Sequence, residues 1–244
     1  MPFYERENEL LNIIMQHESV SINELLKMQY ISKSTLRRDL IKLEEKGLIV
    51  RTYGGVMPIK QSADSNIPYF LRENEQPEEK KIIARKAAEF IHDGSVIMLD
   101  GTTSAYCMIP HFTKFKDIIV ITSGAKAAFL LGELGIKNIC TGGEMIKKSF
   151  SYAGADALRT ISSYNADVLF FSCRGLSDDG YLSDISIEEN AVRLAMMKRS
   201  KKSVFLCNSN KIGHQYLHNL CHASELDEII SETDIPKSIS KLMI

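Results

Sequence analysis

From Val96 onward the chain repeats one unit: a short apolar run, a cluster of glycine or hydroxyl residues, then a segment with helical spacing. Val96–Leu99 runs into Asp100-Gly101-Thr102-Thr103-Ser104, and residues 118–121 run into Thr122-Ser123-Gly124. Residues 167–172 end at Cys173-Arg174-Gly175, and residues 204–207 end at Asn208-Ser209-Asn210-Lys211. Residues 125–134 and 187–199 carry the helical spacing between such runs. Short apolar runs bounded by turn residues are buried strands. Strands that alternate with helices form a parallel sheet, because two parallel neighbours need a crossover of a dozen or more residues. The predicted class is therefore α/β with an open sheet. Ligands of such sheets bind at the carboxyl ends of the strands, where this chain places its small polar residues.

Composition narrows the function classes. The 244 residues carry 30 basic and 31 acidic side chains, a formal net charge of −1, so any affinity for nucleic acid must come from local clustering. The five cysteines stand apart with no C-x-x-C pair, which predicts neither a zinc site nor a redox motif but reduced thiols in a cytoplasmic protein. The N-terminus turns polar within a few residues, which predicts no signal peptide. No apolar run approaches the ~20 residues of a membrane span. Character changes along the chain. Residues 1–56 read as short helices with a basic turn, 57–77 as a linker holding Pro58, Pro68 and Pro77, and 78–244 as the α/β domain. Within the linker, Ile67, Tyr69, Phe70 and Leu71 are apolar enough to pack locally.

In the N-terminal part, residues 4–16 read as a first helix with Leu10, Ile13 and Ile14 on one face. Ser21-Ile22-Asn23-Glu24 is a capping box that starts a second helix ending near Met28. Ser32 caps a third helix that runs to about Lys46, with Gly47 as its stop. Leu36, Leu40 and Leu43 form the buried stripe of that helix. At ~100° per residue, Ser34 and Arg38 project opposite the stripe, with Arg37, Ile41 and Lys42 beside them. Residues 1–56 hold eight basic and eight acidic side chains, but between Lys27 and Lys42 five bases face the single acid Asp39. Residues 48–56 then read as two short strands around a basic turn. Helix, turn, capped helix and wing make a winged helix-turn-helix, whose third helix enters a major groove of double-stranded DNA. The candidate DNA-binding residues are Lys33, Ser34, Thr35, Arg37, Arg38, Lys42, Arg51 and Tyr53. Arginine can take guanine bidentately, while lysine and serine can hold phosphate. Arg51 is placed against backbone or minor groove.

A family resemblance rests on these residues. Ser32-Lys33-Ser34-Thr35-Leu36-Arg37-Arg38-Asp39-Leu40, then Leu43-Glu44-Glu45-Lys46-Gly47-Leu48 and Gly54-Gly55, closely resemble the signature of DeoR-type regulators. Leu36 stands where that family has a β-branched residue, Tyr53 where it has histidine and Val56 where it has alanine. The later run, including Asp93-Gly94, Asp100 to Ser104, Gly142-Gly143, Gly154, Asp179-Gly180 and Lys211, resembles the family's sensor domain. That domain is similar in fold to ribose-5-phosphate isomerase and glucosamine-6-phosphate deaminase, and in the family it senses a phosphorylated sugar. The family loop Asp-Ser-Gly-Thr-Thr stands here as Asp100-Gly101-Thr102-Thr103-Ser104, and the ungapped match keeps the strand in register.

The candidate ligand-binding set is Asp100, Gly101, Thr102, Thr103, Ser104, Thr122, Ser123, Gly142, Gly143, Arg174, Asp184, Glu189 and Lys211; the resemblance implies it for all but Arg174, an unusual charge at a strand end. The residues themselves support part of it. A strand, a loop of glycine and hydroxyls and a helix N-terminus make a phosphate cradle. Arg174 has two readings, a clamp on phosphate or Asp184 and a surface salt bridge. Glu188 and Glu189 either reach sugar hydroxyls or favour the start of the next helix. His214, His218 and His222 recur every four residues and are read as exposed helical histidines, so no metal and no cofactor is expected. The expected function is a DNA-binding regulator, a repressor of carbohydrate genes acting as a dimer or tetramer. Its operator affinity answers to a phosphosugar. The alternatives are a phosphosugar isomerase or deaminase with a DNA-binding appendage, and a constitutive DNA-binding protein.

Overall fold

A computed structural model describes residues 3–17, 19–45, 48–58 and 69–243, and the chain divides into two units, Met1–Asn74 and Glu75–Ile244. The first unit holds α1 (Phe3–Met15), β1 (Val20–Ser21), α2 (Ile22–Gln29), α3 (Lys33–Glu45), β2 (Ile49–Thr52), β3 (Gly55–Pro58) and α4 (Tyr69–Asn74). Leu36, Leu40 and Leu43 of α3 meet Leu10, Leu11 and Ile14 of α1 and Leu25 of α2 in one core. The capping box forms as the spacing requires: the Ser21 hydroxyl accepts from the Glu24 N–H, and the Glu24 carboxylate accepts from the Ser21 N–H at 2.9 Å. At the next start, the Ser32 hydroxyl accepts the Thr35 N–H at 3.2 Å. The expected stop at Gly47 lies outside the described residues. β3 pairs antiparallel with both β2 and β1, and Gly54 at φ +84° supplies the wing turn. β1 is only two residues long, too short to leave a period-2 pattern in the sequence.

One expectation changes here. The 57–77 linker shrinks, because Met57 and Pro58 belong to β3, Tyr69–Asn74 is helical, and Pro77 already opens the next helix. Tyr69 is buried, and Phe70 and Leu71 pack on the N-terminal core, so their apolar side chains outweigh the turn chemistry around them. Pro68 and Ile67 lie outside the described residues. Asp39, the one acid in the basic stretch, is turned inward. It is fully buried, and its carboxylate takes Arg6 of α1 bidentately, at 2.8 and 3.2 Å.

The second unit opens with α5 (Pro77–Ala87), β4 (Val96–Leu99), α6 (Thr103–Tyr106), α7 (Ile109–Phe112), β5 (Ile119–Thr122) and α8 (Ala125–Glu133). β6 (Asn138–Cys140), the hairpin strands β7 (Glu144–Ile146) and β8 (Ser151–Ala153), α9 (Ala155–Ser162) and β9 (Val168–Phe171) follow. The rest is β10 (Gly175–Leu176), β11 (Tyr181–Asp184), α10 (Ile187–Lys198), β12 (Ser203–Leu206), β13 (His218–His222), β14 (Glu228–Ile230) and α11 (Lys237–Ser240). The main sheet is parallel throughout, in the order β14-β12-β9-β4-β5-β6. Alternate strand residues feed two cores. Met98, Ile121, Leu169, Phe171 and Phe205 join Ala157 and Ile161 of α9 and Val192 and Met196 of α10. Ile97, Leu99, Val120, Phe170 and Leu206 join Ile83, Met108, Phe112 and Leu131 on the opposite face. The chain leaves β4 toward β5 and β6 and returns to β9 on the other side of β4, so the sheet reverses direction between β4 and β9.

The histidine expectation is overturned. Residues 218–222 form β13 in a small antiparallel sheet with β11 and β10, so spacing by four does not align the rings on a helix. The His222 ring instead hydrogen-bonds the Ser224 hydroxyl at 2.8 Å and lies 3.0 Å from the Asp179 carbonyl. Among the described residues no group of three metal-ligating side chains assembles.

The leucine stripe makes a direct prediction. Leu36→Ala, at a fully buried position, should destabilise the N-terminal unit by about 2–5 kcal/mol. Ser34→Ala on the exposed side should stay within about 0.5 kcal/mol. Guanidinium titration of the full chain followed by circular dichroism checks both, and equal effects would refute this orientation of α3.

Candidate functional site

Two constellations stand out, one in each unit. In the first, Lys33, Ser34, Arg37 and Arg38 of α3 are exposed, while Thr35 and Lys42 are half-buried. Thr35 is turned inward enough to share its hydroxyl with Ser32 at 2.8 Å. Arg51, on the wing strand β2, is exposed but held: its backbone N–H and its Nε reach the two carboxylate oxygens of Glu44 at 3.0 and 2.7 Å. Those bonds draw the Glu44 carboxyl below its usual range. Tyr53 stands fully exposed beside the wing glycine. The charge segregation expected from the sequence is therefore real, and it lies on the side of α3 turned from its leucines.

In the second unit the centre is Asp100, which ends β4 at the reversal of the sheet. It is 2% exposed. Oδ1 accepts from the Thr102 N–H at 3.0 Å and the Thr102 hydroxyl at 2.6 Å, which folds the loop. Oδ2 accepts from the Ser172 N–H at 3.1 Å and from Arg193 Nε at 3.2 Å. Arg193, 3% exposed, also donates through Nη1 to Asp184 at 2.9 Å and Asn190 at 3.0 Å. Arg174 Nε lies 3.5 Å from the other Asp184 oxygen, with Asp184 buried and Arg174 half-buried. Two guanidinium groups and two carboxylates thus alternate. Burial works against the charge on Arg193, but Asp184, Glu189 and Asp100 together outweigh it and hold its proton firmly. Burial likewise pushes the Asp100 carboxyl up, while Arg193 and its other hydrogen bonds pull the opposite way.

Around this centre, Asp100, Gly101, Ser123 and Glu189 line one small cleft with Ser151, Tyr152, Val192 and Arg193. The β7–β8 hairpin lies directly over the loop. A Cβ on Gly101 would come within 2.5 Å of the Ser151 Cβ, and the Ser151 hydroxyl donates to Glu189 at 2.9 Å. Thr102 caps α6, and Ser104 reaches Asn208 at 3.3 Å. Lys211 donates to the Ser172 hydroxyl at 2.6 Å, one residue beyond β9. Thr122 turns its hydroxyl onto the Gly124 N–H at 3.0 Å. Gly142 and Gly143 stand apart: Gly143, at φ +100°, presses on Ala153 and Ala157 and takes no part in the cleft.

Several expectations are sharpened. Arg174 is a half-buried partner of the buried Asp184. Asp100 and Asp184 are both engaged by Arg193, and Asp100 folds the loop through Thr102. The helix behind the loop is a single turn, residues 103–106, so its dipole adds little. Arg193, Ser151 and Ser172 were missed. Asn190 and Arg193 sit three apart among the buried residues of α10, a polar pair on an apolar face that a helical projection would have shown. Cys173, Cys207 and Cys221 are free thiols that burial pushes up to about 12, so they are inert, while Cys140 is exposed.

Comparison with known proteins supplies the context. Residues 6–62 match the model of a DeoR-like helix-turn-helix domain, and residues 75–233 that of a DeoR C-terminal sensor domain. The HTH-type transcriptional regulator YulB of Bacillus subtilis (strain 168), described as uncharacterized, is 30% identical over 240 residues, 98% of this chain and 92% of its own. The glycerol-3-phosphate regulon repressor of Escherichia coli (strain K12) is 27% identical over 241 residues, 98% of this chain and 94% of its own. Among solved structures, eIF2B delta from Chaetomium thermophilum aligns with a TM-score of 0.51 at 19% identity, over 68% of this chain. This chain spans 60% of that structure's chain, and the likeness concerns fold alone. Ribose 5-phosphate isomerase from Methanocaldococcus jannaschii aligns more loosely, with a TM-score of 0.43 at 14% identity, over 57% of this chain and 55% of that one.

The charge cluster is testable by Arg193→Met. Removing the cation leaves Asp100 and Asp184 buried beside one another's loops, and should cost about 3–5 kcal/mol near neutral pH. Without Arg193 the upward push of burial on Asp100 is opposed only by its hydrogen bonds from Thr102 and Ser172. A raised folded-state carboxyl pKa means the native state holds more protons than the unfolded chain, so stability falls as pH rises. The loss should therefore shrink on acidification toward the carboxylate range. Urea titrations of both proteins across pH check this, and a loss independent of pH would show that the cluster is not electrostatic in origin.

Proposed function

Since the chain belongs to the DeoR family of transcriptional regulators and is a DNA-binding regulator with a sensor domain, we propose that it is a repressor of carbohydrate genes controlled by a phosphorylated sugar. The observation that carries the sensing half is the cleft at the sheet reversal. Its loop of glycine and hydroxyls, residues 100–104, holds Arg193 through Asp100, while Lys211 donates to Ser172 and Arg174 pairs with Asp184. Cations and backbone N–H groups converging at strand ends suit an anion. The printed name of the glycerol-3-phosphate regulon repressor gives the same direction for a relative that covers almost the whole chain.

Binding, and not turnover, is the reading these side chains support. Asp184, Glu189 and Lys211 are the groups that acid–base chemistry would use. Asp184 is held by Arg193, Glu189 accepts from Ser151, and Lys211 donates to Ser172. The cleft holds only about 10 Å³, far below the ~300–1,000 Å³ of common ligand sites. A phosphosugar must therefore displace the β7–β8 hairpin from Gly101. That displacement gives the ligand a state to prefer, and it shifts DNA affinity only as far as it binds the two states differently. We place the DNA-binding unit at residues 1–74, the sensing unit at 75–244, the protein in the cytoplasm, and the active species as a homo-oligomer.

A thermal-shift panel of sugar phosphates tests this. The true effector should raise the melting temperature by mass action and weaken binding to a duplex selected by the protein from a random pool. Thr103→Asp should abolish both responses and leave DNA binding intact. A panel in which no compound changes either quantity would remove the sensing half, and hydrolysis or isomerisation of a compound would restore the enzyme reading.

A further inference from the structure

The polar side of α3 is not one surface. Taking ~100° per residue, the buried residues Leu36, Asp39, Leu40 and Leu43 define one direction. Ser34 and Arg38 lie almost opposite it. Lys33, Arg37 and Glu44 lie about 110° away or less, on the flank toward the wing, and the Glu44–Arg51 pair confirms which flank that is. Between this flank and β2 runs a cleft of about 380 Å³, roughly ten times the ~30 Å³ share of a water. Ile22, Leu36 and Leu40 form its apolar floor, and Lys33, Arg37 and Arg51 stand around it.

We propose that this cleft seats the sugar-phosphate backbone of one DNA strand, with Lys33, Arg37 and Arg51 as its cationic walls, and that Arg38 alone of the two adjacent arginines reads a base. The inference rests on the placement of α3 in a major groove. An apolar floor with cationic walls fits a deoxyribose flanked by phosphates. A base edge offers no such charge. Glu44 is a positioning residue: its carboxylate fixes the Arg51 guanidinium and the wing strand from which it projects. The two arginines of the Arg37-Arg38 pair therefore divide the work, one holding and one reading.

Binding of the full-length protein is measured by fluorescence anisotropy on two probes, the duplex it selects from a random pool and a scrambled duplex of equal composition, over a series of salt concentrations. Arg37→Ala and Arg51→Ala should weaken both probes by the same factor. Each should flatten the slope of log affinity against log salt by about 0.9. Arg37→Lys should recover most of the loss, because a phosphate accepts a point charge. Arg38→Ala should collapse the ratio between the probes by about 5- to 150-fold, and Arg38→Lys should not restore it. Glu44→Gln should weaken both probes together. If Arg37→Ala narrows the ratio as Arg38→Ala does, or leaves both affinities unchanged in a folded protein, the cleft assignment is overturned while α3 remains the reading helix. If Arg38→Ala also leaves the ratio intact, the placement of α3 falls with it.

Discussion

The sensing unit is organised around a charge it cannot expose. Arg193 lies inside the protein, where its guanidinium costs several kcal/mol to desolvate unless carboxylates answer it. Asp100 comes from the end of β4, Asp184 from the end of β11 and Arg193 from the middle of α10. Each belongs to a different segment, so satisfying one guanidinium fixes three backbones at once. The loop of residues 100–104 takes its shape from the same event, since the Asp100 oxygen that does not face Arg193 folds the chain onto Thr102. A hydrophobic group of the same size would fill the space but would not set the loop.

The position of this cluster follows from topology. A parallel sheet that runs outward from β4 in one direction and resumes at β9 on the other side leaves a crevice where the crossovers diverge. Asp100 closes the floor of that crevice through the Ser172 N–H, and the β7–β8 hairpin roofs it through Ser151 and Tyr152, whose N–H donates to the Ser123 carbonyl at 2.7 Å. A floor held by ion pairs and a roof held by a few hydrogen bonds differ in stiffness. In the proposed sensing role, motion on ligand entry falls to the hairpin.

Much of this was legible in the sequence, and the limits have physical reasons. The apolar runs of β4, β5, β9 and β12 announced themselves because both faces of a parallel strand are buried. The capping box at Ser21 and the leucines of α3 set the N-terminal unit, because local hydrogen bonds and a helical stripe are properties of adjacent residues. The small sheet of β10, β11 and β13 was invisible, since strands of two to five residues paired across long separations leave little period. The same ignorance turned His218 and His222 into a helix face. In the candidate site, the loop residues were found because their types are distinctive. Arg193 was not; its place beside Asn190 on the apolar face of α10 was the one sequence signal, and its role needed the partners 93 and 9 positions away.

Asp39 has a consequence of another kind. It sits beside the two arginines in sequence, yet it points into the unit and clasps Arg6. The acid and the leucines anchor α3 from behind, so the helix does not depend on Ser34 or Arg38 for its place. In the proposed reading role, target preference can then change by exchange of those side chains, without a second change to rescue the fold. Related regulators built on this helix are free to part ways over which genes they address while keeping one scaffold.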